Sequence, residues 1–275
     1  MLPFTKMHGL GNDFIVVNNL QKDIELDDAT IRKLAHRRFG VGFDQLLIVE
    51  PPSHHNVEFD YRIHNADGSE VEHCGNGARC FARFVRDKGL TTHNRVAVHT
   101  KGGDIVLNVN PDESVTVQMG VPEFEPARIP FSADYLSSSY TLELDDDVIE
   151  IGALAIGNPH AVTIVPDIQS AEVGRLGAQV ESHPRFPNRV NAGFMEIFAP
   201  DHIRLRVYER GVGETMACGS GACAAVVSGV VQGRLENTVT ASLPGGDLRI
   251  YWAGPGETVE LTGPCESVFE GNVNL

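Results

Sequence analysis

The feature that most constrains the fold is an internal duplication. CGNGARC at 74–80 recurs as CGSGACA at 218–224, an offset of 144 residues. Arg62-Ile63-His64 matches Arg206-Val207-Tyr208 at the same offset, and Glu70 matches Glu214. Nearer the start of each half, Gly11-Asn12 followed by Phe14-Ile15-Val16-Val17 matches Gly157-Asn158 followed by His160-Ala161-Val162-Thr163, and Gln45 matches Asn191, now at 146. Matches in one order with a two-residue drift describe one supersecondary unit used twice.

Each half runs from a Gly-Asn turn into an apolar strand (14–18, 161–165), then a helix. The first helix spans about 27–38, capped by Asp27 or Asp28, and its counterpart about 170–181, capped by Ser170. Two strands follow (45–50 and 57–64; 192–198 and 202–208), then the Cys-Gly loop and a second helix (about 76–88; about 220–232). These second helices, with FARFV and ACAAVVSGVV, read as apolar nearly all round, which places each inside a strongly curved sheet. The tail 264–275 has no counterpart in the first half, and a strand there crosses back to the first domain with Pro264 as the hinge. The expected domains are therefore 1–118 plus 264–275, and 119–263.

At 275 residues the chain is long enough for two cores, and 42% apolar with 21% charged residues is a globular composition. A formal net charge of −15 and the lack of any Lys/Arg run disfavour nucleic acid and anionic membranes as partners. No apolar stretch reaches membrane-span length, and the start MLPFTKMHGLGNDF lacks signal-peptide order, so a cytoplasmic location is expected. Five cysteines, an odd number spread along the chain, make a poor disulfide framework and read as reduced thiols.

Cysteine before Gly-x-Gly at a helix opening has definite chemistry. The glycines let the backbone turn tightly and admit a ligand, while the helix start points N–H groups outward as an anion site suited to a carboxylate. The same partial positive charge is expected to draw a thiol pKa from about 8.5 towards about 3.5–7.5. Two such openings facing one another across a pseudo-twofold cleft would hold a carboxylate between two sulfurs. One sulfur then removes the α-proton from one face and the other delivers a proton to the opposite face. The N–H donors meet the charge developing on the carboxylate, so the chemistry needs no cofactor. Cys80, Cys223 and Cys265 lack this matched context and read as small buried hydrophobes. Cys-x5-Cys and Cys-x4-Cys are poor zinc spacing, His54-His55 after Pro51-Pro52 reads as a surface loop, and no metal is expected. The Gly-x-Gly after Cys74 lacks the third glycine and the βαβ context of a dinucleotide fingerprint.

HGLGNDF at 8–14, NADGSEVEHCGNGARC at 65–80, GNPHAV at 157–162, RVNAGF at 189–194 and YERGVGETMACGSGACA at 208–224 resemble the diaminopimelate epimerase family. The resemblance runs from residue 8 to the tail without departure at a motif position. It implies an α/β (α+β) fold of two pseudo-symmetric domains, each a curved, mostly antiparallel sheet around a buried central helix, with the site in the cleft between them. It implies a pyridoxal-phosphate-independent isomerase with no cofactor, interconverting LL- and meso-diaminopimelate in lysine and peptidoglycan precursor synthesis.

By that resemblance Cys74 and Cys218 form the base and acid pair, and the amides of Gly75, Asn76, Gly219 and Ser220 hold the carboxylate at the reacting centre. Asn12, Gln45, Asn65, Asn158, Asn191, Glu209 and Arg210 line the site and read the distal amino acid group, while His160 and Glu209 adjust the thiol pKa values. Independently, an Arg forks to a carboxylate, and Glu with amides accepts from an ammonium. Members pair as homodimers, and Phe269 is the tail aromatic placed at that contact, with plain core as the other reading. A proline-type racemase shares the thiol pair but leaves Glu209-Arg210 and the amides with nothing to bind. A non-catalytic redox or metal-binding dithiol protein is the rival of another class.

Overall fold

The apolar runs FIVV (14–17) and LLIV (46–49) have no polar member, so strands made from them are covered on both faces. A computed structural model, which describes residues 1–72 and 74–275, shows what covers them. The chain divides into two compact units, 1–118 with 262–275, and 119–261.

In the first unit the strands are β1 (Leu2–Gly9), β2 (Asn12–Asn18), β3 (Gln45–Glu50), β4 (Phe59–Asn65), β5 (Glu70–Val71), β6 (Arg95–Thr100), β7 (Gly103–Val109) and β8 (Val115–Gln118). The tail strand Glu266–Val273 lies antiparallel to β1. Among the described residues β2–β3 and β4–β6 pair in parallel, whereas β1–β2, β3–β4, β4–β5, β6–β7, β7–β8 and β1 with the tail strand pair antiparallel. Parallel neighbours need a crossover, and each crossover carries a helix: α1 (Asp28–Ala35) between β2 and β3, and α2 (Gly75–Asp87) between β4 and β6. Ile15, Val17, Leu46 and Ile48 cluster with Ile31, Leu34 and Ala35 of α1. The alternate residues meet α2, where a methyl added at Gly77 would stand 3.4 Å from Phe14, 3.2 Å from Leu47 and only 2.6 Å from the Tyr61 hydroxyl. Tyr61 is buried and has no room to yield, so only glycine lets α2 seat this deeply. Because α2 touches the tail strand, β1, β2 and β3 as well as β7 and β8, the sheet curls around it.

The second unit repeats the plan with β9 (Tyr140–Glu143), β10 (Val148–Ile156), β11 (Asn158–Ile164), β12 (Asn191–Ala199), β13 (His202–Glu209), β14 (Gly213–Thr215), β15 (Thr238–Leu243) and β16 (Gly246–Tyr251). Its parallel pairs, β11–β12 and β13–β15, again enclose one helix each, α3 (Val173–Glu181) and α4 (Gly219–Val231). The registers repeat too. Phe14 faces Gln45 as His160 faces Asn191, and the Arg62–Glu70 pair at 2.9 Å is repeated by Arg206–Glu214 at 2.6 Å. The two-residue drift also has a location. Glu50 faces Asp60 where Glu196 faces Arg204, so the first unit's hairpin is two residues longer.

Three readings from the sequence need correction. The first helix ends at Ala35 rather than near 38, because the His36 ring accepts the amides of Arg38 and Phe39 and turns the chain. Ser170 is not a helix cap: Asp167 accepts its amide in a local turn, and α3 begins at Val173. Nor is α2 apolar all round, since Arg79 on it is 0% exposed. Its guanidinium donates to the carbonyls of Pro264, at 3.0 Å, and Gly75, at 3.4 Å, tying the tail's entry to the helix start. Arg83 and Arg86 reach the unit's edge, at the carbonyls of Glu113 and Thr92.

Candidate active site

A side chain before the first helical residue can satisfy a helix amide, and sulfur does so twice here. Cys74 caps α2 and accepts the Gly77 amide at 3.4 Å; Cys218 caps α4 and accepts the Gly221 amide at 3.3 Å. The helix ladders begin with Ala78 to the Cys74 carbonyl at 2.8 Å and Ala222 to the Cys218 carbonyl at 2.9 Å. The N1 and N2 amides, which the ladders do not use, belong to Gly75 and Asn76 in one helix and to Gly219 and Ser220 in the other.

In the first unit Asn12, just past the β1–β2 turn, brings its side-chain oxygen to 3.9 Å from the Cys74 sulfur and accepts from the side-chain NH2 of Asn76 at 3.3 Å. Its own NH2 donates to Asp44 at 2.9 Å, and Asp44 also accepts the Asp13 amide. Arg37 forks to Asp13 and reaches Asp44, and Lys6 pairs with Asp13. Burial raises the Asp13 pKa, but Arg37 and Lys6 outweigh it and hold the carboxylate at about 2. Next to Asp44, Gln45 donates to Asn65 across β3–β4 at 2.9 Å. Asp44, Asp13, Arg37 and Lys6 hold Asn12 in place, yet sequence reading missed them, because the duplication does not repeat them.

The second unit gathers Asn158, His160, Asn191, Glu209, Arg210, Cys218 and Ser220. Asn191 accepts the Arg210 amide at 2.9 Å and donates to the Pro159 carbonyl at 3.1 Å. Arg210 is exposed, with one guanidinium nitrogen 3.2 Å from the Asn188 carbonyl. Thr215 donates to Glu209 at 2.5 Å, and the Ser220 hydroxyl stands 3.7 Å from the Cys218 sulfur.

The helix start does not set the acidity of Cys218. Burial, at 5% exposure, and the adjacent Glu209 carboxylate push this thiol above its ordinary range, outweighing Ser220 and the Gly221 amide. Both effects favour the neutral thiol over the thiolate at Cys218. Glu209 therefore acts on it upward, as a like charge opposing the thiolate.

His160 is buried and bonded to Asn158 at 2.8 Å; burial, then Arg210, lower its pKa to about 3. It reaches its neighbours by hydrogen bonding rather than charge. We expect its imidazole NMR signals to stay flat from pH 5 to 8; a titration near pH 6.5 would refute the burial argument. Below pH 6.5 the unfolded chain takes up a proton here that the native chain refuses until about pH 3. Its burial therefore costs stability as pH falls across that window.

Cys80, Cys223 and Cys265 are buried, and the Cys265 thiol donates to the Arg79 carbonyl at 3.3 Å. His54 bonds to Asp104, which also holds His99, and this polar trio lies at the surface rather than in the site.

Comparison with known proteins now decides the family. The family model described as diaminopimelate epimerase matches residues 4–125 and 152–268. The chain belongs to this family. It is 56% identical over 272 residues to the diaminopimelate epimerase of Azoarcus sp. (strain BH72), covering 99% of this chain and 98% of that one. To the Nitrosomonas europaea diaminopimelate epimerase it is 57% identical over 274 residues, covering 100% and 99%. Among solved structures, a probable proline racemase from Agrobacterium radiobacter K84 superposes with a TM-score of 0.74 at 14% identity, covering 100% of this chain and 93% of that one. A phenazine biosynthesis protein of the PhzF family from Bacillus anthracis gives 0.71 at 17%, covering 100% and 99%. Those distant likenesses show the fold alone, a mixed α+β architecture of two similar domains, while the family match makes this chain a diaminopimelate epimerase-type isomerase.

Proposed function

We propose that this isomerase interconverts LL- and meso-diaminopimelate, without a cofactor, by two-base chemistry at the α-carbon, serving lysine and peptidoglycan precursor synthesis. The observation that carries the reading is one device built twice: a sulfur on the N-cap of a helix whose N1 and N2 amides are glycine and a small polar residue. The amides of Gly75, Asn76, Gly219 and Ser220 hold the carboxylate beside the reacting carbon and stabilise the charge that develops on it. Of Cys74 and Cys218, one takes a proton from one face while the other donates a proton to the opposite face, and the roles reverse with direction. Asn12, Gln45, Asn65, Asn158, Asn191, Glu209 and Arg210 read the substrate. Arg210 takes the distal carboxylate in its fork, and amide oxygens with Glu209 accept from the distal ammonium. His160 and Glu209 adjust the thiol acidity, Glu209 by its charge beside Cys218.

The test is turnover of LL-diaminopimelate to the meso form by the purified protein, with proline alongside. Turnover of proline alone, or of neither, would sink the reading.

We propose further that each unit acts as one domain, 1–118 with the tail from 264, and 119–263, that the protein works in the cytoplasm, and that it pairs as a homodimer. No helix among the described residues is long and apolar enough to cross a membrane. Phe269 supports the pairing: it is 48% exposed while its ring meets Phe4 in a T-shaped contact, centroids 5.9 Å apart, so it is not plain core. Phe269→Ala is expected to shift the sedimentation equilibrium from dimer towards folded monomer. An unchanged mass would remove Phe269 from the contact.

A further inference from the structure

Glu181 stands where helix stability alone would not put it. It is the last residue of α3, and a carboxylate there faces the negative end of the helix dipole. The side chain is 6% exposed. Its carboxylate takes the Arg189 guanidinium at 3.0 and 3.2 Å and the Gly211 amide at 2.9 Å, and its backbone carbonyl takes the Val190 amide at 3.1 Å. These partners flank the residues that read the substrate: Val190 precedes Asn191, and Gly211 follows Glu209-Arg210. Both segments carry left-handed backbone, at Arg189 with φ 58° and at Gly211 with φ 73°. For Arg189 that conformation is costly and persists only where its surroundings impose it. One buried carboxylate thus fixes two turns that Asn191 also joins by accepting the Arg210 amide.

The duplication supplies an internal control. At the 146-residue offset that relates Gln45 to Asn191, Glu181 corresponds to Ala35, which likewise ends its helix. At the 144-residue offset, Glu209-Arg210 correspond to Asn65-Ala66. The half without an arginine in that turn also lacks the carboxylate behind it.

We propose that Glu181 is a positioning residue of the distal pocket: it sets the backbone of Arg210-Gly211 and thereby aims the Arg210 guanidinium at the substrate's distal carboxylate. The inference rests on the function proposed above. A recognition group displaced by about 1 Å can cost on the order of a hundredfold. Glu181→Ala is therefore expected to lower kcat/KM for diaminopimelate about a hundredfold, mostly through KM. Glu181→Gln, which keeps an oxygen for the Gly211 amide, should recover most of that loss. Amide hydrogen exchange at Arg210 and Gly211 reads positioning without substrate and should accelerate in the Ala variant. Where Ala does not fold, Glu181→Asp decides, because retracting the carboxylate by one methylene must still raise KM at least tenfold. A folded variant with KM within twofold of the wild type and unchanged exchange at Gly211 overturns the proposal, as does an equal loss in the Ala and Gln variants. Accelerated exchange in a protein whose wild type does not turn over diaminopimelate would instead keep the positioning role and sink the substrate assignment.

Discussion

Cys74→Ala and Cys218→Ala are each expected to lower epimerisation by at least about a thousandfold, within the range general acid–base groups contribute. Each loses one partner of a two-sided proton transfer, so the residual reaction is informative. A lone remaining sulfur can remove and return a proton on its own face. The single variants should therefore exchange the α-hydrogen of one stereoisomer with deuterium oxide while failing to invert it. Serine separates chemistry from architecture, since both sulfurs also cap helices. A hydroxyl caps well, so Cys→Ser should melt no lower than Cys→Ala, but as a far weaker base it should remain nearly as inactive. A serine variant within tenfold of the wild type, or an alanine variant that still inverts, would mean that the sulfurs are structural.

Much of this arrangement was legible because the chain describes itself twice. Self-similarity identified the paired strands, both central helices and both capping cysteines, and the two-residue drift proved to be extra length in the hairpin between β3 and β4. What it could not reveal is whatever the halves do not share. Asp44 and Arg37 behind Asn12, and Glu181 and Arg189 behind Arg210, have no repeated counterpart, and their role follows from contacts distant in sequence. Arg79 escaped for another reason: periodicity treats arginine as surface, whereas here two backbone carbonyls compensate its burial. The acidity of Cys218 was misread because a helix start accounts for the local dipole and omits burial and Glu209, which outweigh it. Local pattern gives position, and the charge state of a thiol depends on everything packed around it.

The same distinction governs Arg210. Arg210→Lys keeps a positive charge and removes the planar fork, so it asks whether the distal carboxylate is read by geometry or by field. The side chain is exposed, so the fold should tolerate the change. Its backbone amide, bonded to Asn191, is untouched. A hydrogen bond to a charged group contributes about 1.5–3 kcal/mol, so loss of one arm of the fork is expected to lower kcat/KM roughly 10- to 150-fold. The loss should fall on KM if the fork binds ground and transition states alike, and on kcat as well if distal binding energy aligns the α-carbon with the two sulfurs. Long-range attraction would show the opposite signature: Lys within about twofold of the wild type, with both proteins weakened equally by salt. That result would leave Arg210 a steering charge and pass recognition of the distal carboxylate to the amides of Asn158 and Asn191.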